Sequence, residues 1–260
     1  MNEYSQRSKF YNYEFITTDD FPAIRSMLRM GIGSVIEIPC GTGRLLKLHT
    51  EHKRKVFMVD LEPRMVEQCR QDILGNGLEQ RISCFVGNMK EWISPEKAEL
   101  ILVPRGGLQL LINRDEVQTT LNIFYQNLKN NGVMYLDIAD PWNSCEKNDD
   151  LLPEFMRFSK SDFLQGESVF SLQSQGLLTR CFISERHNDH ISVDFKFSMH
   201  HDEEVINYEG SYRWERIRFS DLMDDLHMIG FVVKNVYQNY CLHDYEPGSS
   251  RIICVAQKRE

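Results

Sequence analysis

Short apolar runs alternate with longer amphipathic ones from Ser34 to about Ile138. "SVIEIP" reads as a buried strand, and "GRLLKLH" after it as the start of a helix. "VFMVDL" is a second strand. The helix predicted for "PRMVEQCRQDIL" has Pro63 in its first turn and Gly75 as its stop. "RISCFVG" and "AELILVP" are strands three and four. "DEVQTTLNIFYQNLK" is a helix closed by Asn131-Gly132, and "GVMYLDIAD" is strand five. Strands alternating with helices at this rhythm imply a parallel sheet with helices on both faces.

The rhythm breaks after strand five. Between about Leu151 and Tyr212, "ESVFSLQSQ", "LLTRCFISERH", "HISVDFKFSMHH" and "EVINYEGSYRW" show period-two alternation, with turn signals at Gly176, Asn188-Asp189 and Asp202-Glu203. That pattern is an antiparallel meander. The α/β pattern then resumes with "SDLMDDLHMIGF", in which Ser220 is placed to cap the helix start and Gly230 its end. Two strands follow, "VVKNVYQNYC" and "RIICVAQK". The expected organisation is a core formed by residues 1–150 and 213–260, with residues 151–212 inserted as an antiparallel layer on the substrate side. No internal repeat or low-complexity segment interrupts it.

Composition narrows the class. A chain of 260 residues can bury a sizeable core. A formal charge of −8 argues against a broad electrostatic grip on nucleic acid, and the one basic cluster, His52-Lys53-Arg54-Lys55, reads as a solvated loop. The seven cysteines are scattered without a C-x-x-C pair, which favours a reducing, cytoplasmic setting. The N-terminal residues lack the apolar core of a signal peptide, and no apolar run reaches membrane-spanning length. No membrane partner is expected.

Ligands of open parallel sheets bind beyond the carboxyl ends of the strands. The loop "PCGTGR" falls at such a place, where Gly41 and Gly43 permit a sharp turn and a close backbone approach. A dinucleotide fingerprint would need a third small residue where Leu46 stands, which argues against NAD or FAD. Asp60, at the end of strand two, is placed either to accept both hydroxyls of a ribose or to cap the next helix.

Together "EIPCGTGR", "VFMVDLEPRMVE" and "CFVGNMKEW" resemble the class I S-adenosylmethionine-dependent methyltransferases, over residues from about 10 to 140 and 215 to 258. The resemblance implies a Rossmann-like, mostly parallel seven-stranded sheet with the meander inserted, and S-adenosylmethionine as cofactor. It implies that Gly41 and Gly43 border the methionine part, with Pro39, Cys40 and Arg44 in the same loop. Glu37 would hold that loop and the amino group. Asp60 would take the ribose, and Leu61 and Met65 would lie near the adenine. Asn88, where many relatives have Asp, keeps an oxygen acceptor for the adenine amine, and Met89 follows it. Pro104 and Arg105 after strand four would face the crevice. Arg105 would bind an acceptor carboxylate or phosphate, or pair with Glu37.

The acceptor is less constrained. "VPRGGLQLL" lacks the Asn/Asp-Pro-Pro-aromatic signature of base and glutamine methylation. "DIADPWNS", the meander and the terminal helix-strand are similar to the aminosugar N-methyltransferases and related natural-product enzymes. In those enzymes the meander forms the acceptor pocket. By that resemblance an N-terminal segment closes over the cofactor, bringing Tyr11, Tyr13, Phe15 and Phe21 near the sulfonium charge. An amine must be neutral to attack, which calls for a group that binds it and takes its proton. Candidates are Asp140 and, from the insert, Asp162, Arg180, His200, His201 and Tyr212. Adjacent His200 and His201 point to opposite faces of a strand, so one at most enters a pocket. "HHDEE" lacks a third ligand at helical spacing, so no metal is expected. The leading expectation is N-methylation of a small natural product or a peptide amine. O-methylation of a carboxylate or hydroxyl is the second, and a cofactor-binding protein without transfer activity the third. The oligomeric state is not fixed by any of these residues.

Overall fold

The computed structural model describes residues 10–11, 17–30, 33–143, 152–171, 177–201 and 204–259. Among them, the five parallel-core strands are β1 (Val35–Glu37), β2 (Val56–Asp60), β3 (Ile82–Val86), β4 (Ala98–Val103) and β5 (Leu128–Ala139). With β10 (Phe231–Tyr237) and β11 (Arg251–Lys258) they form a seven-stranded sheet in the order β10-β11-β5-β4-β1-β2-β3. Each neighbouring pair among β1 to β5 is parallel, and β11 alone runs against its two neighbours.

Alternating strand residues feed two separate cores, as the pleat requires. Ile36, Phe57, Ile101 and Leu136 face α4 (Arg114–Asn127) and α5 (Phe219–Ile229). Val35, Met58, Leu102 and Tyr135 face α1 (Phe21–Met30), α2 (Leu46–Thr50) and α3 (Pro63–Gly75). The expected placement of helices on both faces therefore holds. No helix among the described residues is long and apolar enough to cross a membrane.

Three helix ends differ from the sequence reading. Helix α4 closes at Asn127, and Leu128 is already extended. Its last carbonyls are met from far along the chain, where Lys258 Nζ donates to Tyr125 O (2.7 Å) and Leu128 O (3.0 Å). Asn131 and Gly132 instead lie inside β5, where the left-handed Asn131 (φ 61°) accompanies a register shift against β4. Helix α5 starts at Phe219 after an uncapped Arg218, so Ser220 sits inside the first turn, while Gly230 (φ 106°) ends it as expected. Pro63 opens α3 after Glu62, which accepts from Arg64 N, but Gly75 remains helical and Asn76 follows.

A second, wholly antiparallel sheet is made by β6 (Phe163–Ser171), β7 (Leu177–Arg186), β8 (His190–His201) and β9 (Glu204–Glu215) in chain order. Its apolar face, including Phe182, Val193, Phe195, Phe197 and Trp214, covers a short segment carrying Phe155, Met156 and Phe158. Phe155 meets Phe195 edge-on at 5.1 Å and lies 5.1 Å from Trp214. The "DPW" turn after β5 ties the sheet to the core. Trp142 Nε1 donates to His187 O (2.6 Å), and Arg186 donates to Pro141 O (2.8 Å).

Asp137 in β5 is buried and pairs with buried Arg251 of β11. Its other carboxylate oxygen accepts from Arg105 N and Tyr240 Oη, both at 3.0 Å. Stripping one partner from a buried pair leaves an uncompensated charge. Arg251→Met is therefore expected to lower unfolding free energy by about 3–5 kcal/mol, measured as a drop in the urea midpoint. A loss below about 1 kcal/mol would show that the pair is not a principal tie.

Candidate active site

The carboxyl ends of β1, β4 and β5 open into one cleft, the place where this sheet topology puts a ligand. Cys40 N donates to Val59 O (2.9 Å), after which the chain turns through left-handed Gly41 (φ 55°) and Gly43 (φ 95°). A Cβ on Gly41 would lie 2.8 Å from the Tyr11 ring, so the loop is a close-fitted cradle as well as a turn.

Of the two roles left open for Asp60, the cap of α3 falls to Glu62, and Asp60 ties together the loops around it. Its Oδ2 accepts from Gly41 N (2.7 Å) and its Oδ1 from Glu62 N (3.0 Å), which fixes the glycine loop and the entry to α3. Each oxygen retains acceptor capacity for a hydroxyl. Burial pushes the Asp60 carboxyl up to about 6, against the lowering effect of the two backbone N–H groups.

Glu37 is buried at the end of β1, with its carboxylate 2.7 Å from His49 Nε2 on α2. Burial raises its pKa, and the bond to His49 opposes the rise. Arg44 forks onto buried Asp20 at 2.7 and 2.5 Å and also reaches Thr17 O (3.1 Å). Arg105 does not pair with Glu37: its Nη1 lies 2.7 Å from Asp19 and 3.8 Å from Asp20. Burial works to raise the Asp19 carboxyl, but the Arg105 charge and the Thr17 hydrogen bond hold it below the ordinary value.

The cleft encloses about 850 Å³, including the space at its open mouth. Six of the sequence-predicted residues line it together: Glu37, Pro39, Cys40, Arg44, Pro104 and Arg105. Tyr11 also lines it, while Tyr13 and Phe15 fall outside the described residues. Phe21 packs with the α1 side of the core, 5.5 Å beneath the Arg44 guanidinium. Leu61 is exposed and Met65 buried, flanking the start of α3 beside Asp60. Asn88 Oδ1 accepts from Lys90 N (3.1 Å), so its oxygen also holds its own turn, and Met89 packs against the core.

None of the six residues proposed to handle the acceptor lines the cleft. Asp162 is an exposed partner of Arg186 (2.8 Å), and His200 is exposed on β8. Arg180 is buried against Glu154 (2.6 Å) and near the rings of Phe170, Phe182 and Phe195. Tyr212 exchanges a hydrogen bond with Tyr208 (2.6 Å). Asp140 is buried and accepts from Asn143 (2.7 Å), and burial raises its pKa. The reason is steric: Pro153, Phe155 and Met156 slide between the meander and the cleft, so Trp214 is the β9 residue that reaches the lining. Nothing described of His201 goes beyond its backbone pairing with Glu204.

Sequence reasoning also missed Gln109, Arg251, Phe155, Met156 and Trp214, which line the cleft. Gln109 bridges layers, donating to Ala139 O (2.9 Å) and Glu215 O (3.1 Å) while accepting from Ala139 N (2.8 Å). A signal existed for one missed position, Arg251, and for its partner Asp137. Asp137 and Arg251 are charges set inside or beside apolar runs, "MYLDIA" and "RIICVA".

Comparison with known proteins agrees with this geometry. Residues 35–132, from β1 into β5, match a family model described as a methyltransferase domain. A solved S-adenosylmethionine-dependent methyltransferase from Clostridium acetobutylicum superposes with a TM-score of 0.76 at 15% identity, over 100% of both chains. The sugar N-methyltransferase KedS8 from a Streptoalloteichus species gives 0.72 at 14% identity, over 96% of this chain and 92% of that one. CalS10, an amino pentose methyltransferase from Micromonospora echinaspora solved with S-adenosylmethionine bound, gives 0.65 at 13%, over 92% and 89%. No curated protein matches by sequence. The fold is the Rossmann-like methyltransferase fold with an added four-stranded antiparallel sheet. The domain match and the cofactor-bound neighbour support S-adenosylmethionine as cofactor, and the glycine cradle beside Asp60 and Glu37 fits it.

With Asp60 at the ribose, cofactor binding is expected to depend on pH, because as pH falls through about 6 the carboxylate would take up a proton and give up part of its capacity to accept hydroxyls. Affinity for S-adenosylhomocysteine is therefore expected to weaken below that pH in calorimetric titrations, while Asp60→Asn binds weakly with a flatter profile. Protonation of Asp60 itself does not unfold the chain, because a carboxyl with a raised folded pKa favours the folded state as it protonates; a melting curve at each pH separates the loss from acid unfolding driven by other carboxyls such as Asp19. An unchanged affinity between pH 8 and pH 5 would remove Asp60 from the ribose site.

Proposed function

We propose that this protein is an S-adenosylmethionine-dependent methyltransferase that methylates an amine of a small natural product, an aminosugar or the N-terminal amine of a peptide. The observation that carries this reading is the acceptor side of the cleft. There, Phe155, Met156 and Trp214 from residues 151–215 close an apolar, aromatic wall over the carboxyl ends of the strands. The sugar and amino pentose methyltransferases among the structural neighbours support the substrate class.

Charge favours the amine over an anionic acceptor. The three arginines lining the cleft are engaged, Arg44 with Asp20, Arg105 with Asp19 and Arg251 with Asp137. The cofactor, when bound, supplies a methyl group already activated on a sulfonium. The chain's own part is to orient the lone pair towards it and exclude water. An apolar wall disfavours an ammonium and so favours the neutral, nucleophilic amine without a carboxylate beside it. With the cofactor bound, Phe155, Met156 and Trp214 would hold the acceptor amine so that its lone pair could take the methyl group as the methyl–sulfur bond gives way. The resulting ammonium loses its proton to water at the cleft mouth.

Incubation with methyl-labelled cofactor and a panel of aminosugars and peptides, read by mass, tests the assignment. Label is expected on nitrogen, in a product stable to mild base. A base-labile ester, or no transfer while cofactor binds, would overturn it. Trp214→Ala is expected to raise the acceptor KM about tenfold, the equivalent of about 1.4 kcal/mol. S-adenosylhomocysteine affinity should stay within about twofold, since Trp214 belongs to the acceptor wall.

A further inference from the structure

Beneath the glycine cradle three cysteines converge from separate elements: Cys40 after β1, Cys69 on α3 and Cys84 in β3. All three are free thiols, buried, with sulfurs within 4.8 Å of one another. The Cys40 and Cys84 sulfurs are 3.9 Å apart. Thiolates around a tetrahedral ion with bonds of about 2.3 Å stand about 3.8 Å from each other. A fourth soft atom is at hand, since Met58 Sδ lies 3.8 Å from Cys69 Sγ.

Isolated core cysteines pack as small hydrophobes and need no partner. Three converging on one point is a different arrangement, with the sulfur spacing of a metal centre. Cys40 also lines the cleft, which gives an ion a way in. The side-chain donors are three cysteine sulfurs with the Met58 sulfur beside them, and the Gly41 carbonyl lies 3.5 Å from Cys40 Sγ; sulfur donors select soft metals over magnesium or calcium.

We propose that Cys40, Cys69 and Cys84 form a binding site for one thiophilic metal cation, of the soft d10 class that includes cuprous and cadmium ions. Binding replaces the S–H bonds with three metal–sulfur bonds and releases those protons to solvent, with no change of oxidation state. The bound ion would join the ends of β1 and β3 to α3, directly under Gly41 and Gly43. A Cβ on Gly43 would come within 3.0 Å of Cys69 Sγ, so the loop rests on the same sulfur.

Titration of the reduced, full-length protein with cadmium under anaerobic conditions tests the site, read by thiolate-to-metal charge-transfer absorption. Saturation at one equivalent is expected. Cys69→Ser and Cys84→Ser should each weaken binding at least about tenfold, whereas Cys181→Ser and Cys241→Ser should leave it unchanged. Should the core serines fail to fold, the wild-type protein decides the matter by alkylation and peptide mapping. One equivalent of cadmium should protect Cys40, Cys69 and Cys84 together while Cys181 and Cys241 still react. An absorption band lost on substituting Cys181 or Cys241, or no protection of the buried three, would overturn the proposal.

Discussion

The buried carboxylate of Asp137 is the constraint from which the cleft is built. One oxygen holds Arg251 from the antiparallel strand β11, and the other holds Tyr240 Oη and the backbone of Arg105. The Asp137 carbonyl adds a bond from Gly106 N (2.8 Å). These bonds anchor the turn after β4, where Arg105 (φ 49°) and Gly106 (φ 73°) both take the left-handed conformation. A non-glycine residue held there is strained unless its surroundings over-determine it. A buried ion pair is weak evidence for stability by itself. Its weight here is geometric, because the residues it fixes form one wall of the site.

A second set of ion pairs works from the other side. Asp19 and Asp20 bridge the N-terminal segment to Arg105 after β4 and to Arg44 after the glycine loop. One short acidic step thus binds together the two loops that frame the cofactor end of the cleft. Asp20 is fully buried, so its bond to Arg44 is shielded from salt far more than a surface pair would be. With Glu37 held by His49, the charged groups around the glycine-loop end of the cleft are mutually compensated, and the wall of Phe155, Met156 and Trp214 is apolar.

Much of this fold was legible because its signals are local. Strand burial, the helices on both faces, the meander, the glycine loop after β1 and the position of Asp60 at the end of β2 all follow from periodicity and loop chemistry within short windows. What was not legible depends on distance. The end of α4 is set by Lys258, about 130 residues downstream, so the Asn131-Gly132 signal marked an irregularity inside β5 instead. The candidates Asp162, Arg180, His200 and Tyr212 were chosen because the meander was expected to face the acceptor directly. The segment around Phe155 and Met156 intervenes, and its apolar side chains carry no chemical signature by which a single sequence would mark them as pocket residues.

The position of β11 has a consequence for the birth of the molecule. This strand lies between β5 and β10 and brings Arg251 to a partner 114 positions earlier. Contacts of such sequence separation form late, after the entropy of a long loop has been spent. During synthesis the glycine loop, β2 and β4 emerge well before Arg251 does. A nascent chain can therefore bond the turn carrying Arg105 to Asp137 before the charge that balances that carboxylate has emerged. The buried ion pair and the seven-stranded sheet are completed in the same late step.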